Sequence, residues 1–137
     1  MVTIIRHIDI DAPAADVWDA VADFGAVDTR LAPGLVVDVR LEPGARIVTF
    51  ADGMVLRAIF LGLDVDGRRL AYSVRSAPFE HHNASFEVIE IEGSRCRLRW
   101  VADLLPDEIA PAISELMENG LEEARRTLGR GDLGRGD

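Results

Sequence analysis

Residues 106–128, PDEIAPAISELMENGLEEARRTL, must be covered along nearly their whole length by some other part of the chain. Apolar side chains recur at Ile109, Ile113, Leu116, Met117, Leu121, Ala124 and Leu128, in steps of three and four, the period of a helix with one apolar face. Glu108, Glu115, Glu118, Glu122, Glu123, Arg125 and Arg126 fall on the other face. Asp107 and Glu108 stand near the positive end of the predicted helix, and Arg125 and Arg126 near its negative end, so the charges complement its dipole. Pro111 allows two starts: a regular helix from that point, or an irregular first turn before it. Gly129 is placed to stop the helix. At ~1.5 Å per residue the helix is roughly 30 Å long. Its stripe demands an apolar partner of that length.

The preceding chain supplies strands. Residues 2–10 alternate, with Ile4, Ile8 and Ile10 in one phase and His7 and Asp9 in the other. APAADVWDAVADF then reads as a short helix, Pro13 at its first position, Asp16 in its first turn, and Val17, Trp18, Val21 and Phe24 on its apolar face. Residues 26–31 extend to a second short helical segment before the Pro33-Gly34 turn. Strands are expected over 35–41, 45–50, 54–64, 69–75, 83–91 and 95–104, separated by Pro43-Gly44, Asp52-Gly53, Asp66-Gly67, a turn near Pro78 and one near Gly93. Cys96, Leu98, Trp100, Ala102 and Leu104 share one face of the last strand, and Arg95, Arg97, Arg99 and Asp103 the other. Residues 54–64 are apolar on both faces, which predicts cover on both sides or a subunit contact.

Short turns between these strands imply an antiparallel meander. The predicted fold class is α+β: a seven-stranded curved antiparallel sheet around a long C-terminal helix, with two short helices between strands 1 and 2. The expected domain spans 1–128, and the Gly-rich 129–137, GRGDLGRGD, is read as a flexible tail. A curved sheet of this size encloses more volume than one helix fills, so a pocket is expected between them.

Composition narrows the function classes. The 137-residue chain carries a net charge of −9, which argues against general affinity for nucleic acid or anionic membranes. All 15 basic residues are Arg, a bias fitting a GC-rich, bacterial genome. The single Cys96 excludes an internal disulfide and fits a reducing cytoplasm. The first ten residues are too short and too charged for a secretory signal, and no apolar run approaches the ~18 to 20 residues of a membrane span.

The ordered series IDAPAADVWDAVADF, Pro33-Gly34, Gly44-Ala45-Arg46, Asp52-Gly53, LGLD ending at Asp64, Tyr72, Pro78, CRLRW ending at Trp100, and GLEEARRTL resembles the START/birch-pollen-allergen superfamily (SRPBCC). Within it, the series is similar to the polyketide cyclase/dehydrase-like group, over roughly residues 3–128. The resemblance implies a helix-grip fold with a hydrophobic cavity for lipids, polyketides or other apolar molecules, in binders or in enzymes. Three positions depart from the group: Ala58 stands where an acidic residue is frequent, Leu31 where Trp is frequent, and His82 where an aromatic is common.

Arg46 aligns with an Arg the group often keeps; turned inward it would anchor a carboxylate, phenolate or carbonyl oxygen, and at the rim it would pair with an acid. Tyr72 and His82 both fall in the inward phase and form the best acid/base pair, a His of near-neutral pKa with a phenol; the alternative is a satisfied aromatic and a His at the cavity mouth. Phe50, Leu56, Phe60, Phe86, Leu98 and Trp100 share the inward phase. Phe50, Leu56, Ala58, Phe86 and Trp100, with Ile113, Met117 and Gly120 from the helix, are the expected ligand walls. Gly120 costs about 1 kcal/mol relative to Ala inside a helix, so it buys room for sheet or ligand. Arg57, Arg97 and Arg99 are read as a solvated face balancing the acidic excess.

No metal or cofactor is expected: His81 and His82 point to opposite faces of a strand, and His7 has no neighbouring ligand in sequence. GRGDLG matches a dinucleotide fingerprint but follows a helix, and the Arg-Gly-Asp and Asn83-Ala84-Ser85 triplets lack a context that would use them. The leading expectation is a cytoplasmic binder of a small hydrophobic molecule, in a cavity of several hundred Å³ between sheet and helix. Two alternatives remain: a cyclase or dehydratase using His82 or Tyr72, and an interaction module or homodimer formed through the two-sided strand 54–64. Ligand identity is not readable from the sequence.

Overall fold

The computed structural model describes residues 1–129; the segment 130–137, where the flexible tail was expected, lies outside them. The chain runs β1 (Val2–Ile10), α1 (Ala14–Ala22), a π-helical turn (Val27–Leu31), β2 (Val36–Glu42), β3 (Ala45–Phe50), β4 (Val55–Asp64), β5 (Arg69–Val74), β6 (His81–Glu92), β7 (Arg95–Leu105), a 3-10 turn (Asp107–Ile109) and α2 (Ala110–Leu128). Seven strands form one antiparallel sheet in the order β1-β7-β6-β5-β4-β3-β2. The meander from β2 to β7 is closed by β1, which returns beside β7, leaving β1 and β2 as the two edges. This is the helix-grip architecture expected from the alternation of short strands and a single long amphipathic segment.

Turn chemistry explains the registers. Gly44 and Gly53 adopt φ of +71° and +94° at the β2–β3 and β3–β4 turns, conformations that favour glycine. At the β4–β5 turn the positive φ falls on Arg68, at 51°, and not on Gly67, whose N–H is instead held by the Asp64 carboxylate at 3.1 Å. Pro13 precedes α1 in extended conformation and is not its first helical residue. α2 takes the second of the two starts left open by Pro111: Asp107–Ile109 form a 3-10 turn and the regular helix follows. Gly129 ends α2 in an extended conformation, its N–H donating to the Arg125 carbonyl at 2.8 Å.

The core lies between the concave sheet face and α2 with α1. Ile4, Ile10, Leu70, Val88, Cys96, Leu98, Ala102 and Leu104 from the sheet share one buried cluster with Val17 and Val21 of α1 and Ile113, Met117, Leu121 and Ala124 of α2. α2 is also tied to the β1 edge: Arg6 donates to Ser114 Oγ at 2.7 Å and lies 3.8 Å from Glu118. On the convex face Arg57, Arg97 and Arg99 pair with Glu42, Asp9 and Glu87 at 2.9, 2.8 and 3.8 Å. Opposite charges therefore ladder that face, as the outward phase predicted.

Of the two readings of β4, cover on both sides within the chain is not what the fold builds, since Val55, Leu61 and Leu63 are exposed; the reading as a subunit contact is untouched by this. One expectation about β4 needs correction. Phe60 is not a core residue but 38% exposed. A register shift between Phe60 and Gly62 interrupts the pairing with β5 at this end of β4. Phe60 remains in the concave phase, opposite Tyr72, and lies edge to face with Phe24, with ring centroids 5.5 Å apart.

Candidate functional site

Between the sheet and α2 lies an apolar cavity of about 70 Å³. The sheet lines it with Arg46, Phe50, Leu56, Ala58, Tyr72, His82, Phe86 and Trp100, and the helix with Ile113, Met117 and Gly120. These are the eleven positions singled out in the sequence, Arg46 and Ala58 by the family resemblance, Gly120 by its cost within a helix and the others by phase, and the fold brings all of them to one space. The volume is a correction: it falls well short of several hundred Å³ and corresponds to a few water-sized spheres. The concave face is filled by large side chains leaning inward from both walls. Sequence reasoning missed one wall altogether. Val27, Leu31, Ala32, Leu35 and Val36 close the cavity from the π-helical turn and the Pro33-Gly34 loop. The signal was present as apolar residues bracketing a turn, but a loop has no period from which to read a facing direction.

Aromatic rings organise the sheet wall. Trp100 stacks on Phe86 with centroids 4.5 Å apart, Phe86 on Tyr72 at 6.1 Å, and His82 lies 6.2 Å from Tyr72 and 4.4 Å from Phe79, edge to face. The register accounts for this: Leu70, Phe86 and Trp100 are cross-strand neighbours in one row, and Tyr72 pairs with Ala84 in the next. Gly120 lets Trp100 sit here. A Cβ at Gly120 would stand 3.0 Å from Trp100 Cζ3 and 3.2 Å from Leu35 Cδ2.

Arg46 is the most unusual member. It is 7% exposed, and no acidic side chain among the described residues pairs with it. Its Nη1 donates to the Phe24 carbonyl at 3.0 Å, and its guanidinium lies 4.0 Å from the Phe24 ring centroid and 5.6 Å from that of Tyr72. Among the described residues its buried Nε has no hydrogen-bond partner. Burial lowers its pKa to about 10, with the neighbouring Tyr72 opposing the shift, so it stays charged at neutral pH. The alternative of a rim Arg paired with an acid is therefore not what the fold builds.

Tyr72 and His82 differ from a pair tuned near neutrality. Burial pushes Tyr72 up to about 12, against the opposing effects of Arg46 and the Trp100 hydrogen bond. Trp100 Nε1 donates to the Tyr72 hydroxyl at 3.0 Å, and no described residue accepts the phenolic proton. Burial, reinforced by His81, lowers His82 to about 4, correcting the near-neutral expectation. At neutral pH both side chains are uncharged. His82 Nδ1 is buried without a partner among the described residues. No cluster of three or more His, Cys, Asp or Glu suited to a metal occurs among those residues.

A sheet gripping a long helix over an apolar cavity with a few inward polar groups defines the helix-grip fold. The family model described as "Polyketide cyclase / dehydrase and lipid transport" matches residues 1–130, and the chain belongs to that family. Solved structures repeat the fold. An uncharacterised protein of Bacillus thuringiensis has a TM-score of 0.83 at 17% identity, covering 96% of this chain and 99% of that one. A START superfamily protein of Mycobacterium smegmatis gives 0.70 at 12% identity, over 97% and 98%. The di-domain ARO/CYC BexL from the BE-7585A biosynthetic pathway gives 0.77 at 18% identity, over 93% of this chain and 46% of its own. No curated protein matches the chain. No described helix is long and apolar enough to cross a membrane.

Proposed function

We propose that this protein binds a small apolar molecule bearing an acidic or strongly accepting oxygen, between the sheet and α2. The observation that carries the reading is Arg46, a charged guanidinium buried in an apolar wall with a backbone carbonyl as its one hydrogen-bond acceptor among the described residues. Burying an unpaired charge costs several kcal/mol. A ligand carboxylate, phenolate or enolate would recover part of that cost through charge-assisted hydrogen bonds. The family description, which joins polyketide chemistry with lipid transport, supports an apolar ligand of this kind. The cavity of about 70 Å³ is then the closed form, which expands when a ligand enters.

Titration calorimetry with matched pairs of aromatic acids and their amides tests the reading. The wild type should favour the acid, and Arg46→Met should lose that preference by roughly tenfold or more while keeping the neutral analogue. Equal affinities for acid and amide in the wild type would overturn it.

A catalytic version has one observation in its favour. The Tyr72 hydroxyl accepts from Trp100, leaving its own proton free to donate to a ligand oxygen. That arrangement suits polarising a carbonyl during enolisation or dehydration. His82, held near pKa 4, is a weak base for the same step.

A further inference from the structure

β5 and β6 part company at one end, and the parting opens a second space. Their last paired residues are Ser73 and Asn83. β5 ends at Val74, whereas His81 and His82 remain paired to Leu105 and Leu104 of β7 with no partner in β5. The gap is a crevice of about 420 Å³, lined by Ser73, Val74, Arg75, Phe79, Glu80, His81, His82 and Asn83. Ser73 and Asn83 belong to the convex phase of the sheet, Val74 and His82 to the concave phase. The crevice thus runs through the sheet rim and is not a groove on one side of it. Val74 and His82 line both this crevice and the apolar cavity.

The two spaces differ in chemistry. The cavity is walled by aliphatic and aromatic groups, while the crevice offers a hydroxyl, an amide, a guanidinium, a carboxylate and a second imidazole. His82 is the polar side chain shared by both. Phe79 and Tyr72 hold its ring from two sides, and its Nδ1 has no protein partner among the described residues. With Nδ1 closed to solvent and unpartnered among the described residues, the other ring nitrogen is the one open to water in the crevice.

We propose that this crevice is a water and proton entrance to the apolar cavity, with the His82 imidazole as the relay between them. An acidic ligand O–H gives its proton to one ring nitrogen while the other ring nitrogen gives its proton to water in the crevice. The imidazole is neutral before and after, in the opposite tautomer; one proton has left the ligand, and the resulting anion lies in the cavity that Arg46 lines. Because His82 resists charging, the relay transfers the proton through the ring without storing it. The apolar cavity can stay dry while its occupant changes protonation state.

The use of this route rests on the ligand-binding reading, but the route itself is readable on the ligand-free protein. In the ¹⁵N-labelled full chain, the His82 ring N–H should exchange with water far faster than the backbone amides of Leu98 and Ala102 beneath it. Asn83→Leu and, independently, Glu80→Phe fill the crevice from exposed positions and should each slow that exchange about tenfold, with core amide exchange unchanged. Leu61→Ser, at an exposed position of β4 away from both spaces, should leave it as in the wild type. Ring exchange as slow as that of the core amides in the wild type would overturn the proposal. So would wild-type exchange in both crevice variants. Failure of acid-selective binding with a fast, crevice-dependent ring exchange would count against the ligand reading only.

Discussion

Three side chains set the chemistry at the residue scale, and burial acts on each in the same direction, toward its neutral form. Arg46 resists because guanidinium is so strong a base that a pKa of about 10 still leaves it charged. Tyr72 and His82 yield and stay neutral across the physiological range. For His82 the folded pKa lies below the unfolded value, so between about pH 6.5 and 4 the unfolded chain binds the extra proton. Stability is therefore fully present above that window and is lost as pH falls through it. Relative to His82→Phe, the wild type should lose up to about 3 kcal/mol between these limits. Urea unfolding at a series of pH values checks this; parallel curves for the two proteins would mean that His82 is as well solvated when folded as when unfolded. Tyr72 acts with the opposite sign, its contribution present below about pH 10 and lost as pH rises toward 12.

At the scale of elements, α2 matters as a wall as well as a stave. Gly120 costs helix propensity, yet a Cβ there would press on Trp100 at 3.0 Å and on Leu35 at 3.2 Å. Gly120→Leu should displace the Trp100 ring, break its hydrogen bond to Tyr72, and reduce uptake of a hydrophobic fluorescent probe. The indole N–H resonance of Trp100 reports the first effect and probe titration the second; unchanged uptake would place the binding space elsewhere. The periodicity of residues 106–128 identified Ile113, Met117 and Gly120 as facing inward, because a 3.6-residue repeat specifies a face. The strands were legible for the same reason, with period two putting Tyr72, Phe86 and Trp100 on one side. Phe60 shows the limit of that reasoning. Its phase was read correctly, but whether a concave residue is covered depends on how far the helix extends over the sheet.

For the molecule as a whole, the proposed binding requires a way into a closed cavity. The wall contributed by the Pro33-Gly34 loop is fastened to α2 by one hydrogen bond, from the Gly34 N–H to Glu123 Oε1 at 2.9 Å. Glu123 is also paired with Arg126 at 2.9 Å. Glu123→Ala should release the loop, speed probe uptake in stopped-flow measurements, and lower stability by only about 1 kcal/mol. Uptake at the wild-type rate would show that entry does not involve this loop.

Strand order, the long C-terminal helix, the inward phase of the site residues and the resemblance to the family all follow from local repeats and turn residues, which act between neighbours in sequence. Three features did not: the closure of the cavity to about 70 Å³, the solitary burial of Arg46, and the crevice beside His82. Each depends on how side chains from distant segments share one volume, and on where two strands stop pairing. Residues 106–128 announced that something would cover them. Only the packed structure decided how much room was left underneath.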